Sequence, residues 1–426
     1  MTVLVFVGSL LGSMALGVPI AFALLVSGVA LMVQLGTFDA QIVAQNVVNG
    51  ADSFPLMAVP FFILAGEVMT AGGLSKRIVG LAVACVGHIR GGLGFVTILA
   101  ACVMASLSGS AVADAAAMAA LLMPMMLKSG YKPGRSGGLI AAGAIIGPII
   151  PPSIPFILFG VTGNVSIIRL FLAGIVPGLF LGLAHCATWF WVSRHGEITL
   201  PIAQSSAERM RALADSVWAL VLPFIIIFGL KFGVFTPTEA GVVAAVYSIF
   251  VSFVIYRELT LVRFYEVLVM AAKTTSIVMI LVACATVSAW LITIANLPLQ
   301  LAGILEPLMG EPTLLMFVIV GILLVIGMGM DLTPTILVLT PVLLPVVKMA
   351  GIDPVYFGVI FIMTGSIGLI TPPVGTVLNV VCGVTKLTME DLVKGIWPFL
   401  LAEVAILVLC VVFPKLVTVP AHWFTG

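Results

Sequence analysis

The sequence predicts an all-α polytopic membrane protein built from two inverted-topology repeats, each with about five transmembrane helices and one re-entrant hairpin. Three observations predict it: the composition, the long apolar runs, and an internal match at constant spacing. The 426 residues are 62% hydrophobic and 8% charged, with 43 Gly and 25 Pro, and the mean hydropathy is +1.31. A soluble chain carries about 25% charged residues. So few charges cannot coat a globule of this size, which excludes soluble, disordered, fibrous and disulfide-stapled classes. The apolar runs are also too continuous for the alternating strands of an outer-membrane barrel.

Apolar segments lie at 2–16, 18–35, 53–73, 93–128, 137–163, 168–193, 215–233, 237–256, 268–293, 313–350, 355–381 and 396–416. About 20 residues cross a bilayer as a helix. Segments 93–128 and 313–350 are too long for one crossing and too short for two with a loop. Each has a Ser, Gly, Thr or Pro break at its middle, so each reads as a re-entrant hairpin; the alternative is one overlong tilted helix. The start, MTVLVFVGSLLG, has no basic region and reads as a first membrane segment, not a cleaved signal peptide. Six cysteines, scattered through apolar stretches with no CxxC pair, read as small buried hydrophobes.

Basic residues set the orientation. Under this layout fourteen of the 18 Lys/Arg fall on one side, while Arg169, Lys231, Lys348 and Lys415 fall on the other. The first side is then the cytoplasm, and both termini face out. With 18 basic and 17 acidic residues, no nucleic-acid partner is implied. The outer bases point to lipid headgroups or to a docking protein.

Sliding the chain by 221 residues matches Leu122 to Leu343, Pro124 to Pro345, Gly130 to Gly351, Pro133 to Pro354 and Gly147 to Gly368. It also lays Pro151-Pro152 on Pro372-Pro373, and Gly174, Ile175 and Pro177 on Gly395, Ile396 and Pro398. A constant spacing through a double proline is hard to obtain by coincidence, and an odd number of crossings per half turns the second half over, as in secondary transporters. The expected layout is a first repeat over 1–200, with scaffold 1–73, arm 74–92, hairpin and broken helix 93–163, and closing helix 168–193. A cytoplasmic connector at 201–214 leads to a second repeat over 215–426. Its scaffold is 215–293, its arm 294–312, its hairpin and broken helix 313–381, and its closing helix 396–416.

Four broken places form two matched pairs. The hairpin tips read Ser106-Leu107-Ser108-Gly109-Ser110, followed by Asp114, and Gly327 to Thr335 with Asp331 and Thr333 inside. The helices after them break at Gly147–Ser153 and at Thr371–Thr376. A double proline removes two backbone donors and disfavours helix just before it. In hydrocarbon an unsatisfied backbone group costs several kcal/mol, so such breaks persist only where something satisfies them. A hard cation suits loose carbonyls and hydroxyls, and half-helix N-termini suit a carboxylate; water or neighbouring hydroxyls filling the kinks is the simpler alternative. Asp114 and Asp331 could attract a cation or cap a half-helix, and the two roles are compatible. Asn379 and Asn164 are candidate polar contacts to substrate, although Asn164 could simply end its helix. Glu239, in Thr236-Pro237-Thr238-Glu239, reads as a capping box. His88, His185, His195 and His422 lie at span ends or loops, and Glu403 faces no evident partner, so none is assigned chemistry. An intramembrane enzyme would need a nucleophile–base pair at depth; no His lies near mid-span, and the serines at 106–110 have no candidate base except Asp114.

These motifs resemble a known family. Ala51-Asp52-Ser53-Phe54-Pro55, Val59-Pro60-Phe61-Phe62, Leu64-Ala65-Gly66-Glu67, Ser108-Gly109-Ser110 with Asp114, Ile150-Pro151-Pro152-Ser153, Thr236–Ala240 and Gly368–Gly375 together are similar to the large membrane subunit of TRAP (tripartite ATP-independent periplasmic) transporters. Within the family the likeness is nearest to 2,3-diketo-L-gulonate permeases, with C4-dicarboxylate members next. The resemblance covers essentially the whole chain. It implies an elevator fold of the ion-transporter superfamily and uptake of a small organic acid driven by Na+. It also implies two partners: a periplasmic substrate-binding protein, and a small four-helix membrane subunit on a separate chain, because Met1 begins directly in the large subunit. By matching position it implies Na+ ligands among Ser106, Ser110, Asp114, Gly147, Pro151, Gly327, Asp331, Thr335, Thr371 and Gly375. Substrate would lie among Ser108, Gly109, Ser110, Pro152, Ser153, Thr333 and Thr376, with Asn379 beside them. Sialate members carry an Arg in the helix after the second double proline, where this chain reads Val381-Cys382-Gly383, so sialic acid ranks behind smaller acids. A stand-alone Na+-coupled organic-anion carrier is the alternative.

Overall fold

The computed structural model describes residues 2–194 and 204–425; among them it is helical throughout, with no strand. The chain opens with α1 (Thr2–Ala15), α2 (Ile20–Gln34), α3 (Ala40–Ala51), α4 (Ala58–Ala71) and α5 (Leu74–Val86). There follow α6 (Gly92–Ser108), α7 (Ala111–Lys128), α8 (Pro133–Ala144), α9 (Ile154–Gly163) and α10 (Ile167–Val192). The second half holds α11 (Ser206–Lys231), α12 (Pro237–Phe250), α13 (Leu261–Ile294), α14 (Leu297–Met309) and α15 (Pro312–Gly327). It ends with α16 (Leu332–Met349), α17 (Pro354–Gly368), α18 (Thr376–Thr385), α19 (Met389–Val412) and α20 (Lys415–Thr425). Among the described residues eight helices are long and apolar enough to cross a membrane.

Local chemistry explains most boundaries. The Thr236 side chain accepts from Glu239 N, and the Glu239 carboxylate accepts from Thr236 N at 2.8 Å, which makes the expected capping box. A second box at Ser205 and Glu208 starts α11 at Ser206. The connector expected at 201–214 is therefore mostly helix where it is described, and 201–203 lie outside the described residues. The Thr388 hydroxyl caps α19, which begins seven residues before the apolar run at 396 that marked it. Helices α3 and α20 were not expected, being too polar or too short to show as apolar runs. The first two segments are helices of 14 and 15 residues, about 21–23 Å long and short of the ~30 Å hydrocarbon core. Gly17 (φ +81°) and Pro19 separate them.

The two long segments, 93–128 and 313–350, are each broken into two helices. In the first, α6 and α7 pack on each other across Gly109. In the second, α15 and α16 meet across 328–331. Helices α7 and α16 are 18 residues each and begin 221 positions apart, at Ala111 and Leu332. Helices α8 and α17 form the centre: every residue is buried from Ser136 to Ala144 and from Tyr356 to Gly368. Beyond the interruptions, α9 lies along α16 and α18 along α7, so each broken helix grips the other half's hairpin.

Close approach depends on small side chains. Ala240, Gly241, Ala244, Ala245 and Ser248 are the buried face of α12, which packs against α4. Helix α8 presents Gly134 and Gly138 to Gly395 of α19; a Cβ on Gly138 would lie 2.7 Å from the Gly395 carbonyl carbon. Arg77 at the start of α5 pairs with Glu258 at 2.7 Å and lies 3.7 Å over the Tyr256 ring. That contact fastens α5 to the segment between α12 and α13.

Candidate functional site

The first hairpin tip turns at Gly109, whose φ of +60° is a left-handed conformation that costs an ordinary residue about 1 kcal/mol. A side chain there would also collide: a Cβ would lie 2.6 Å from the Pro152 carbonyl oxygen and 3.1 Å from Ser153 Cα. The tip therefore rests directly on the interruption between α8 and α9. Ser110 is the N-cap of α7, accepting from Ala113 N at 3.4 Å. Ser108 Oγ donates to Asp114 Oδ1 at 2.6 Å and accepts from Ser110 N at 3.2 Å. Asp114 is 1% exposed, and its second oxygen, Oδ2, is buried without a protein partner. Gly147 faces that oxygen; a Cβ there would lie 2.6 Å from it. In the interruption Pro151 and Pro152 are buried and joined by a cis peptide; a cis peptide also joins Pro372 and Pro373. Ser153 Oγ donates to Pro148 O at 2.5 Å and accepts from Phe156 N, capping α9. Ser106 Oγ donates to Val103 O at 2.6 Å within its own turn.

The second assembly repeats the plan with different residues. Gly375 N donates to Met328 O at 3.4 Å, so this hairpin tip also touches its interruption. Gly327 and Gly368 bring α15 and α17 together; a Cβ on Gly368 would lie 2.7 Å from Gly327 Cα. Asp331 stands at the N-cap of α16 and is half-buried. Its backbone oxygen accepts from Thr335 Oγ1 at 2.8 Å. Thr371 Oγ1 donates to Ile367 O at 2.7 Å. Thr376 Oγ1, on the first residue of α18, is buried without a partner. Thr333 is half-buried and Pro373 exposed, so this side is the more open. Asn379 Nδ2 donates to Val374 O at 2.9 Å, bracing the loop before α18. Asn164 is the left-handed C-cap of α9 (φ 52°), which gives it a helix-ending role.

The two acids are thus not equivalent. Ser110, not Asp114, caps α7, which leaves the Asp114 carboxylate free to aim at Gly147. One carboxylate oxygen, hydroxyls and carbonyls released around a double proline make an all-oxygen donor set, the kind a hard cation takes. No group of three or more His, Cys, Asp or Glu is assembled among the described residues.

One pair escaped the sequence reading and corrects it. His185 is not at a span end and Glu403 does have a partner: His185 Nε2 lies 2.8 Å from Glu403 Oε1, and both side chains are 0% exposed. The residues are distant in the chain and sit in different helices, so only packing brings them together. His195 lies outside the described residues.

A fold of paired, interrupted helices with apolar crossings defines a polytopic membrane protein with an internal oxygen-lined site. Residues 7–416 match the family described as "Tripartite ATP-independent periplasmic transporter, DctM component". The chain is 57% identical over 425 residues to the 2,3-diketo-L-gulonate TRAP transporter large permease protein YiaN of Escherichia coli (strain K12), covering 99% of this chain and 100% of that one. It is 38% identical to the sialic acid TRAP transporter large permease protein SiaM of Vibrio cholerae, covering 99% of each chain. Among solved structures, the YdaH transporter of Alcanivorax borkumensis superposes with a TM-score of 0.66 over 91% of each chain at 14% identity, a likeness of fold. The chain belongs to the DctM family of TRAP transporter large permeases.

Proposed function

We propose that this permease imports a small organic acid together with Na+, as the large membrane subunit of a three-component uptake system. A sugar acid such as 2,3-diketo-L-gulonate is the first candidate, given the 57% identity to YiaN. The observation that carries the reading is the doubled arrangement of hairpin tip on interrupted helix, with Asp114 Oδ2 and Thr376 Oγ1 buried and unpartnered beside the breaks. In this reading Ser106, Ser110, Asp114, Gly147 and Pro151 contribute to one Na+ site, and Gly327, Asp331, Thr335, Thr371 and Gly375 to another. The carboxylate of the substrate lies between them, near the starts of α9 and α18, where helix N-termini favour negative charge. Moving more than one Na+ with a monoanion carries net positive charge inward, favoured by about 2.3 kcal/mol per charge per 100 mV.

The two halves act as inverted repeats. The hairpins and broken helices travel together as an elevator against a scaffold of α1 to α4 and α11 to α13, linked by the arms α5 and α14. Both termini lie in the periplasm, where a binding protein delivers the substrate, and a small four-helix subunit on another chain braces the scaffold in the bacterial inner membrane. The test is uptake into proteoliposomes holding all three components. Wild type is expected to accumulate the acid only under an inward Na+ gradient, and replacement of Pro151 and Pro152 by Ala is expected to abolish Na+-dependent uptake. Full activity in that variant would overturn the site.

A further inference from the structure

We propose that His185 and Glu403 form a buried proton-binding site: the pair holds one proton, is neutral as a unit, and in that state ties α10 to α19. The two side chains meet at 2.8 Å with no exposure on either. Their remaining polar atoms, His185 Nδ1 and Glu403 Oε2, are also buried and find no protein partner. The surroundings are apolar: the His185 ring packs edge-on to Phe399 at 6.2 Å, and Trp189 stacks on the same phenylalanine.

Charge counting then selects the protonation state. Imidazole with carboxylate leaves one net negative charge in this interior, and imidazolium with carboxylic acid leaves one net positive charge. An uncompensated buried charge is the costliest outcome. Imidazolium with carboxylate, or imidazole with carboxylic acid, is neutral, and the two differ only by moving the proton along the hydrogen bond. No third ionic group within ion-pair distance compensates either side chain among the described residues. The charged groups of the helices packed on this pair are Arg169 and Arg194 around α10, Glu390, Asp391 and Lys394 at the start of α19, Lys132 and Arg135 at the start of α8, Asp353 before α17, Lys386 after α18, Lys415 on α20, Glu311 before α15, and Glu208, Arg209, Arg211, Asp215 and Lys231 on α11. The other titratable groups on these elements are Cys102, Cys186, Cys382, Cys410, Tyr356 and His422, with Tyr131 stacked on Trp189. Lys394 is nine residues from Glu403, about 13 Å along the helix.

The location gives the proton a structural consequence. Helix α19 packs on α10 and on α8 and α17, the two helices that run into the interruptions. A neutral, hydrogen-bonded tie at α10–α19 holds that assembly together without placing net charge inside it, and loss of the proton at high pH would loosen it.

The experiment uses the full chain in lipid nanodiscs. Infrared difference spectra between wild type and Glu403→Gln report whether Glu403 is acid or carboxylate, and 15N-histidine resonances assigned with His185→Gln report the imidazole. Carboxylate with imidazolium, or acid with neutral imidazole, is expected; carboxylate with neutral imidazole, or two protonated groups, overturns the proposal. Thermal unfolding supplies the second arm. Glu403→Gln keeps a neutral pair and should hold the midpoint within about 3 °C of wild type, while His185→Leu strands the carboxylate and should lower it by about 10 °C. Raising the pH from about 7 to about 10 should lower the wild-type midpoint more than that of Glu403→Gln. Equal pH responses in the two proteins overturn the proposal, and the spectra decide the matter if His185→Leu yields no folded chain.

Discussion

At the scale of single residues the site turns on how Asp114 is held. Its Oδ1 accepts from Ser108 at 2.6 Å while Oδ2 is left bare, an asymmetry that serves a cation ligand better than a structural cap. Ser108→Ala removes the one side-chain donor to a buried carboxylate, which costs about 1–3 kcal/mol. The expected result is a roughly tenfold rise in the Na+ concentration for half-maximal uptake, measured in proteoliposomes at saturating substrate. Asp114→Asn keeps the shape and removes the charge, so Na+-dependent uptake is expected to fall more than about tenfold while the chain stays folded. Hydroxyls clustered at Ser106–Ser110 were legible in the sequence because Ser and Gly interrupt a long apolar run. The partners of those hydroxyls were not: that Ser106 bonds back to Val103, and that Ser110 rather than Asp114 caps α7, depends on backbone angles at Gly109 that composition does not encode. His185 with Glu403 lies further still from sequence reading, because nothing local relates two residues on separate helices.

At the scale of elements, legibility followed the strength of the local signal. The break in each long apolar segment, the double-proline interruptions and the Thr236–Glu239 cap were all written in turn and cap residues. Helix α3 has Gln or Asn at four of its twelve positions and was invisible to a search for apolar runs, although Asp39 caps it through Gln41 N at 2.7 Å. Helix α19 starts at a Thr388 hydroxyl cap, while hydropathy marks only its apolar interior. Packing between elements imposes its own constraint, seen most sharply where α15 crosses α17. There Gly327 and Gly368 leave no room for a methyl group, since a Cβ on Gly368 would stand 2.7 Å from Gly327 backbone atoms. Gly368→Ala must therefore push the α15 and α17 backbones apart, and overpacking of this kind costs about 1–3 kcal/mol. The expected outcome is a thermal midpoint lowered by several degrees in nanodiscs, together with slower uptake. Gly383→Ala, where nothing lies within 4 Å of the added carbon, should leave the midpoint unchanged and serves as the control.

At the scale of the whole molecule, the reciprocal grip of α9 on α16 and α18 on α7 packs the two assemblies into one body. In the proposed elevator neither hairpin slides without carrying the other half's broken helix, so both proposed Na+ sites and the space between them share a single displacement. The buried core includes all of α17 from Tyr356 onward, which supports the proposed rigid-body travel against the scaffold over a local opening. In the function proposed above the sites are linked: Na+ bound at the tips near Gly109 and Gly375 completes the pocket for the carboxylate, and the carboxylate in turn raises the affinity for Na+ by the same factor. The expected measurement is binding of Na+ to the full complex in nanodiscs with and without the organic acid, where the acid should tighten Na+ binding about five- to 150-fold. Acid added as free solute should produce uptake only when the binding protein is present, because delivery rather than affinity then limits entry. Uptake of free acid at the full rate by the large subunit alone would instead make this chain a self-sufficient carrier, with the same site served directly from the periplasm.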